Sequence, residues 1–156
     1  MVGPDAERDA TVRHFARLFV TGANLRVPVV SLVLRKAYGL GAMAMMGGST
    51  RAPLATAAWP TGELGGMGLE GAVRLGYRKE LEAIPDPAAR QAAFEARVAE
   101  LYDHGKAVNA AAALEIDAVI DPASSRDWIT SALEGYRAEH ADVDMAGRGR
   151  GFVDTW

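Results

Sequence analysis

Cysteine is absent from this chain of 156 residues. Disulfide bonds, thiolate metal sites and thiol nucleophiles are therefore excluded. No apolar run approaches the roughly 20 residues that a bilayer-spanning helix needs. The first fifteen residues are charged and lack the apolar core of a signal peptide, so the sequence predicts a cytoplasmic protein. The formal net charge of −3 gives no reason to expect nucleic acid or an anionic membrane as a partner.

Catalytic side chains are also scarce. His14, His104 and His140 stand among charged residues on predicted helices, where histidine usually faces solvent. The spacing of Glu115 and Asp117 matches no cation-binding loop, so acids in this region are expected to hold turns or ion pairs, and no metal site is predicted. The chain has no serine nucleophile elbow, no phosphate-loop lysine motif and no complete dinucleotide fingerprint.

What the sequence does contain is an alternation of short apolar runs with helical patterns, which predicts one α/β domain with largely parallel strand pairing. Residues 27–34 are β-branched and nearly continuously apolar, as in a strand covered on both faces. Further strands are predicted within residues 54–60 and 115–122. Helices are expected from Pro4, near residue 40, from about Met67, after Pro87 as far as Gly105, beyond Gly105, and after Ser124 or Ser125.

The stretch "RKAYGLGAMAMMGGST" at residues 35–50 follows the first predicted strand and is rich in Gly, Ala and Met. A strand that leads into a helix leaves the first helical amides unpaired, here those of Leu40, Gly41 and Ala42. Glycine lets a charge-developing carbonyl approach such amides, and an oxyanion hole of this kind is worth roughly 3–4 kcal/mol per donor. The pattern supports this interpretation about as well as simple tight packing of a short helix.

Several ordered motifs resemble the C-terminal half of the carboxyltransferase β subunits of acetyl-, propionyl- and methylcrotonyl-CoA carboxylases. They are "RKAYGLGAMAMMGGS", "AWPTGELGGMGLEGAV" and "EIDAVIDP", with weaker likeness in "RHFARLF" and "YDHGKAVNAA". The resemblance covers the chain to about residue 137. It implies an α/β crotonase-like ββα superhelix, half of a two-domain carboxyltransferase.

The resemblance also implies a mechanism that needs no reactive side chain. Carboxybiotin, carried on a partner protein, gives its carboxyl group to an acyl-CoA, and backbone amides of Leu40, Gly41 and adjoining Ala42 stabilise the biotin ureido oxyanion. The biotin freed in this way takes the α-proton of the acyl-CoA, so that the resulting enolate can accept the carboxyl group. Leucine stands at position 40 where some relatives have glycine, which requires a negative φ. The remaining residues implied at the biotin or substrate side are Gly39, Met43, Trp59, Gly65 and Gly66.

By this interpretation residues 1–140 are the C-terminal, biotin-side domain of a carboxyltransferase. The domain is then a fragment of the longer enzyme, and residues 141–156 are a disordered tail. The implied partners are an acyl-CoA, a biotin carboxyl carrier or biotin carboxylase subunit, and either further copies of the chain or the missing CoA-binding half. Glu63 and Glu70 are expected to be surface or interface charges. The residues expected at a contact with another chain are Met67, Leu69 and Val73.

Two alternatives stay open. A stand-alone crotonase-like hydratase or isomerase would need a carboxylate base near the glycine loop, and no paired Glu or Asp is visible there. A non-catalytic assembly module derived from a carboxylase would use the family surface only to bind a full-length subunit.

Overall fold

A computed structural model describes residues 4–25 and 27–139. His140 and the tail predicted for residues 141–156 lie outside the described residues. The fold is α/β, as the alternation predicted. Its helices are α1 (Pro4–Arg8), α2 (Thr11–Ala23), α3 (Gly39–Met45), α4 (Leu69–Gly76), α5 (Arg78–Glu82), α6 (Pro87–His104), α7 (Ala107–Ala112) and α8 (Ser125–Glu139), the last preceded by a 3₁₀ turn, Pro122–Ser124.

The strands form two small parallel sheets. The first sheet has the order β1 (Val30–Val33), β3 (Ala55–Ala58) and β5 (Ala118–Val119). The second pairs β2 (Lys36–Tyr38) with β4 (Glu63–Gly65). Parallel strands joined through helices bring the ends of β2 and β4 to the same edge, which is where the glycine-rich segments begin.

Two predicted elements differ from the structure. The helix predicted from Pro4 is broken into α1 and α2 because Ala10 adopts a left-handed conformation with φ 54°. The strand predicted over residues 27–34 is limited to β1, and only Val33 in it is fully buried, while Leu34 is 48% exposed. The prediction of a strand covered on both faces is wrong because Val30, Ser31 and Leu32, which point alternately to the two faces of β1, all remain partly exposed.

The apolar core is small for a chain of this length. It groups side chains from β1, β3, β4 and α7 with Met46 and Ile116. Val73 of α4 is also completely buried, so its predicted role as a contact with another chain is wrong: it packs inside the domain, where α4 lies against α6. Large apolar side chains on α2, α3 and α4 remain exposed.

Two glycines permit close backbone approaches around this core. A Cβ at Gly22 would stand 2.7 Å from the Cα of Gly47, where α2 crosses the loop after α3. A Cβ at Gly105 would stand 2.5 Å from the carbonyl oxygen of Leu64, where the α6–α7 junction meets β4. Within the described ranges, no helix is both long and apolar enough to cross a bilayer.

Candidate active site

A cavity of about 380 Å³ opens beside α3. Its walls come from β2 and α3, from the end of β4 and the turn after it, and from the α6–α7 junction. The lining residues are Ala37, Gly39, Ala42, Met43, Met46, Thr50, Leu64, Gly65, Gly66, His104, Gly105, Asn109, Ala110, Ala113 and Glu115. Backbone and small apolar groups dominate this lining, and His104 and Glu115 are the two side chains in it that could act as an acid or a base.

The first turn of α3 supplies unpaired backbone donors. Tyr38 is the N-cap residue in an extended conformation, with no side-chain cap. The amides of Leu40 and Gly41 therefore have no carbonyl partner within α3, whereas the i−4 rule gives the amide of Ala42 the Tyr38 carbonyl as its acceptor. Leu40 has a negative φ, since it is not among the residues with positive φ. The negative φ that a leucine needs at position 40 is therefore present.

Gly39 joins β2 to α3 under two constraints. Its φ is +64°, a left-handed conformation that favours glycine. A Cβ at this position would also stand 3.0 Å from the carbonyl oxygen of Gly66. The segment entering α3 and the turn after β4 therefore touch each other at the edge of the cavity, and a side chain at Gly39 would separate them.

The cavity brings together five of the eight residues that the sequence assigns to the site: Gly39, Ala42, Met43, Gly65 and Gly66. Leu40 and Gly41 belong to the same turn of α3, but they do not line the cavity, and the Leu40 side chain is 62% exposed. Trp59 lies elsewhere. It directly follows β3, and its indole N–H donates to the Ser125 hydroxyl at 2.9 Å, which ties the end of β3 to the start of α8.

Sequence reasoning missed the pair formed by Tyr38 and Glu63. The Tyr38 hydroxyl donates to the Glu63 carboxylate at 2.5 Å. The prediction that Glu63 is a surface or interface charge is wrong, because the residue is only 8% exposed. Burial raises the pKa of Tyr38 well above its usual range, and its hydrogen bond to the negative Glu63 raises that pKa further. No local pattern could have revealed this pair, since only the β2–β4 pairing brings the two residues together.

The α6–α7 junction is the second feature that the sequence did not assign to the site. His104 is the last residue of α6, Gly105 is its C-cap, and Asn109 lies in α7. The Asn109 side-chain amide donates to the carbonyls of Asp103, at 2.7 Å, and His104, at 3.1 Å, which fixes the junction against the cavity. His104 is exposed at the cavity rim, as a surface histidine was predicted to be.

Two of the acids after α7, Asp117 and Asp121, hold structure. One Asp117 oxygen accepts from Arg51 at 2.7 Å, and the other accepts from the Thr56 amide at 2.8 Å. Asp121 caps the 3₁₀ turn by accepting from the Ala123 amide at 2.7 Å. Among residues 4–25 and 27–139 there is no group of three or more His, Asp or Glu side chains that could hold a metal ion.

Known proteins resemble the chain along nearly its whole length. The family model described as the carboxyl transferase domain matches residues 1–149. The chain belongs to the carboxyl transferase domain family. The 12S subunit of methylmalonyl-CoA carboxyltransferase from Propionibacterium freudenreichii subsp. shermanii is 38% identical over 138 residues, which are 86% of this chain and 25% of the relative. The beta5 subunit of a biotin-dependent acetyl-/propionyl-coenzyme A carboxylase from Mycobacterium leprae is 34% identical over 134 residues, 84% of this chain and 24% of the relative.

One solved structure has a higher sequence identity to this carboxyl transferase domain than these two relatives have. A single-chain, multi-domain long-chain acyl-CoA carboxylase is 62% identical, with a TM-score of 0.73, over 85% of this chain and 13% of the other. The structural likeness to carboxyltransferases confirms the prediction of a crotonase-like fold. The chain spans about a quarter of the length of the curated relatives it matches.

Proposed function

We propose that this chain supplies the biotin side of a carboxyltransferase active site, where a carboxyl group passes from carboxybiotin to an acyl-CoA. The observation that carries the proposal is the cavity wall itself. Its glycines Gly39, Gly65 and Gly66 adjoin the first turn of α3, where the amides of Leu40 and Gly41 have no acceptor within the helix. Membership of the carboxyl transferase domain family and the name of the biotin-dependent relative support the assignment.

The proposed chemistry uses backbone dipoles. When carboxybiotin gives up its carboxyl group, negative charge develops on the ureido oxygen, and fixed N–H donors at Leu40 and Gly41 stabilise that charge without reorganising. Gly39 and Gly66 keep the approach free of side chains, and Met43 and Met46 supply apolar walls that exclude water. Biotin is bound covalently to a carrier partner in this proposal, and the acyl-CoA is held by a second carboxyltransferase half.

Removing one amide hydrogen tests the proposed donors. Proline at position 40 lacks the N–H, yet it is tolerated in the first turn of a helix, where the amide has no intrahelical acceptor. In the chain combined with a CoA-binding carboxyltransferase half, we expect Leu40→Pro to lower kcat for reverse carboxyl transfer from malonyl-CoA to free biotin by about 10²–10³-fold. Leu40→Ala keeps the amide and serves as the matched control. Equal activity of the two variants would overturn the assignment.

A long-chain acyl-CoA is the substrate class we propose. The support is the 62% identity to the long-chain acyl-CoA carboxylase, compared with 38% to the methylmalonyl-CoA enzyme. Competition between palmitoyl-CoA and propionyl-CoA in the assembled enzyme tests this preference. A larger kcat/KM for palmitoyl-CoA is expected, and a larger value for propionyl-CoA would reverse the proposal while leaving carboxyl transfer itself intact.

A further inference from the structure

We propose that Tyr38 is a positioning residue of the biotin-side site, whose hydroxyl bond to buried Glu63 holds the two glycine segments of the cavity wall in register. This inference rests on the proposed function for its catalytic consequence. The geometric part, that the bond fixes the glycine segments, stands independently of that function.

The strand register explains how the two side chains meet. Lys36 pairs with Glu63 and Tyr38 pairs with Gly65 in the parallel ladder of β2 and β4. Residues two apart on a strand share a face, so Glu63 and Gly65 lie on one side of β4. A Cβ at Gly65 would stand 3.3 Å from the Tyr38 ring. Because Gly65 has no side chain, the ring lies across it and its hydroxyl reaches the Glu63 carboxylate.

The burial of Glu63 makes its hydrogen bond with the Tyr38 hydroxyl contribute more than a hydrogen bond on the surface would. A carboxylate that is only 8% exposed needs hydrogen-bond donors, because an unpaired buried charge is costly. An O–H···O⁻ bond is among the strong, charge-assisted hydrogen bonds, and the 2.5 Å distance agrees with that class. Burial raises the pKa of Tyr38 above its usual range, so its hydroxyl is protonated at neutral pH and is the donor of this bond.

The pair acts directly on the site because of its place in the chain. Tyr38 is followed at once by Gly39, which stands against the Gly66 carbonyl. Glu63 lies at the other end of β4, where its own amide donates to the Arg35 carbonyl at 2.7 Å. Hydrogen bonds to Glu63 therefore fix both ends of β2 to β4: the Arg35 carbonyl just before it and the Tyr38 hydroxyl at its last residue. Loss of the hydroxyl removes the side-chain link nearest to the amides of Leu40 and Gly41.

The test compares three variants in the chain combined with its CoA-binding half. Tyr38→Phe deletes only the hydroxyl, and Glu63→Gln keeps an acceptor oxygen for it. Tyr77→Phe is the matched control, since it deletes a hydroxyl at the end of α4 from a ring that packs under Arg97. Because a displacement of about 1 Å at a reacting centre can cost 10²-fold, we expect kcat of Tyr38→Phe to fall by about 10–100-fold. We expect its KM for biotin to change by less than about twofold, the pattern of an interaction that matters in the transition state.

The other variants make the result decisive. Glu63→Gln is expected to keep kcat within about threefold of the parent, and Tyr77→Phe within about twofold. A Tyr38→Phe enzyme with parental kcat would overturn the proposal, as would a Glu63→Gln enzyme that loses as much activity as Tyr38→Phe. A purely structural role would instead lower the unfolding midpoint of Tyr38→Phe without this split between kcat and KM.

A second measurement needs no activity. In amide NMR spectra of the chain, Tyr38→Phe is expected to shift the resonances of Gly39, Leu40, Gly41 and Gly66, whereas Tyr77→Phe leaves them in place. If the parent chain combined with its CoA-binding half shows no carboxyl transfer, the proposed function fails, and these spectra still decide the inference. Unmoved resonances in Tyr38→Phe would overturn it.

Discussion

At the scale of single residues, Gly39 is the position where backbone geometry most directly limits substitution. Any side chain there must adopt φ near +64° and approach the Gly66 carbonyl. A left-handed conformation costs a non-glycine residue about 1–2 kcal/mol, and the contact adds to that cost. We therefore expect Gly39→Ala to lower the free energy of unfolding by at least about 1–2 kcal/mol, measured by urea denaturation.

Gly135→Ala is the matched control for this measurement. Gly135 lies within α8, has no positive φ, and a Cβ there would meet nothing within 4 Å. Alanine in a helix interior is favoured over glycine, so this variant should gain roughly 0.5–1 kcal/mol. Changes of the same sign at both positions would contradict the structural argument.

Val73 gives a second residue-scale prediction. It is completely buried on α4, whereas Leu75 on the same helix is 73% exposed. Val73→Arg buries an unpaired charge, so we expect it to destabilise the domain by more than about 4 kcal/mol and to abolish cooperative unfolding in circular dichroism melts. Leu75→Arg should leave the melt within about 0.5 kcal/mol of the parent. A cooperative parental melt for Val73→Arg would place Val73 at a surface.

The sequence predicted residue-scale features that depend on local chemistry and missed those that depend on distant pairing. Gly39 was placed at a strand-to-helix junction from its neighbours alone. From the sequence, Glu63 is predicted to be a surface or interface charge. Its burial arises only because β4 pairs with β2 and places Tyr38 beside it.

At the scale of elements, α6 has the clearest sequence-determined start. Asp86 is its N-cap, and the carboxylate accepts from the Ala89 amide at 2.9 Å, with Pro87 in the first turn. Removing such a cap costs about 1 kcal/mol. We expect Asp86→Ala to lower the free energy of unfolding by about that amount and Asp86→Ser, which can still cap, to lose only a few tenths. Urea denaturation measures both, and equal losses would contradict the capping role.

Element boundaries were predictable where a cap or a proline marks them and not where tertiary contacts decide. Pro87 and Gly105 bracket α6 as predicted. The break between α1 and α2 falls at Ala10, a residue whose type gives no sign of a left-handed turn. The strand predicted over residues 27–34 is longer than β1, because apolar composition does not show where the backbone pairing with β3 begins.

At the scale of the whole molecule, the described domain buries few large side chains and exposes many. Those on α2, α3 and α4 that remain exposed include Val12, Leu18, Val20, Leu40, Met43, Met45 and Leu75. The chain also spans about a quarter of its curated relatives. Sequence motifs identified the family and the α/β class, but they could not show which apolar residues lack cover, because that depends on three-dimensional packing.

We expect the chain alone to lack carboxyltransferase activity. In the proposed mechanism the acyl-CoA enolate is stabilised by a second half, and the cavity beside α3 supplies only the biotin side. Malonyl-CoA and methylmalonyl-CoA decarboxylation with free biotin, measured for the purified chain and for the chain combined with a CoA-binding half, should show turnover only in the combination. Turnover by the pure chain would mean that its own residues stabilise the enolate.

The purified chain should also self-associate. Apolar surface gains about 25 cal/mol per Å² on burial, so the exposed side chains of α3 favour contact with another copy when no other partner is present. We expect light scattering to give a mass above the 16.5 kDa monomer, rising with concentration. Met45→Lys places a charge at a side chain that is 73% exposed on α3 and should shift the chain toward monomer, whereas Leu114→Asn serves as a surface control because asparagine tolerates the positive φ at that position. A concentration-independent monomer for the parent chain would contradict self-association, and equal effects of the two substitutions would contradict a contact through α3.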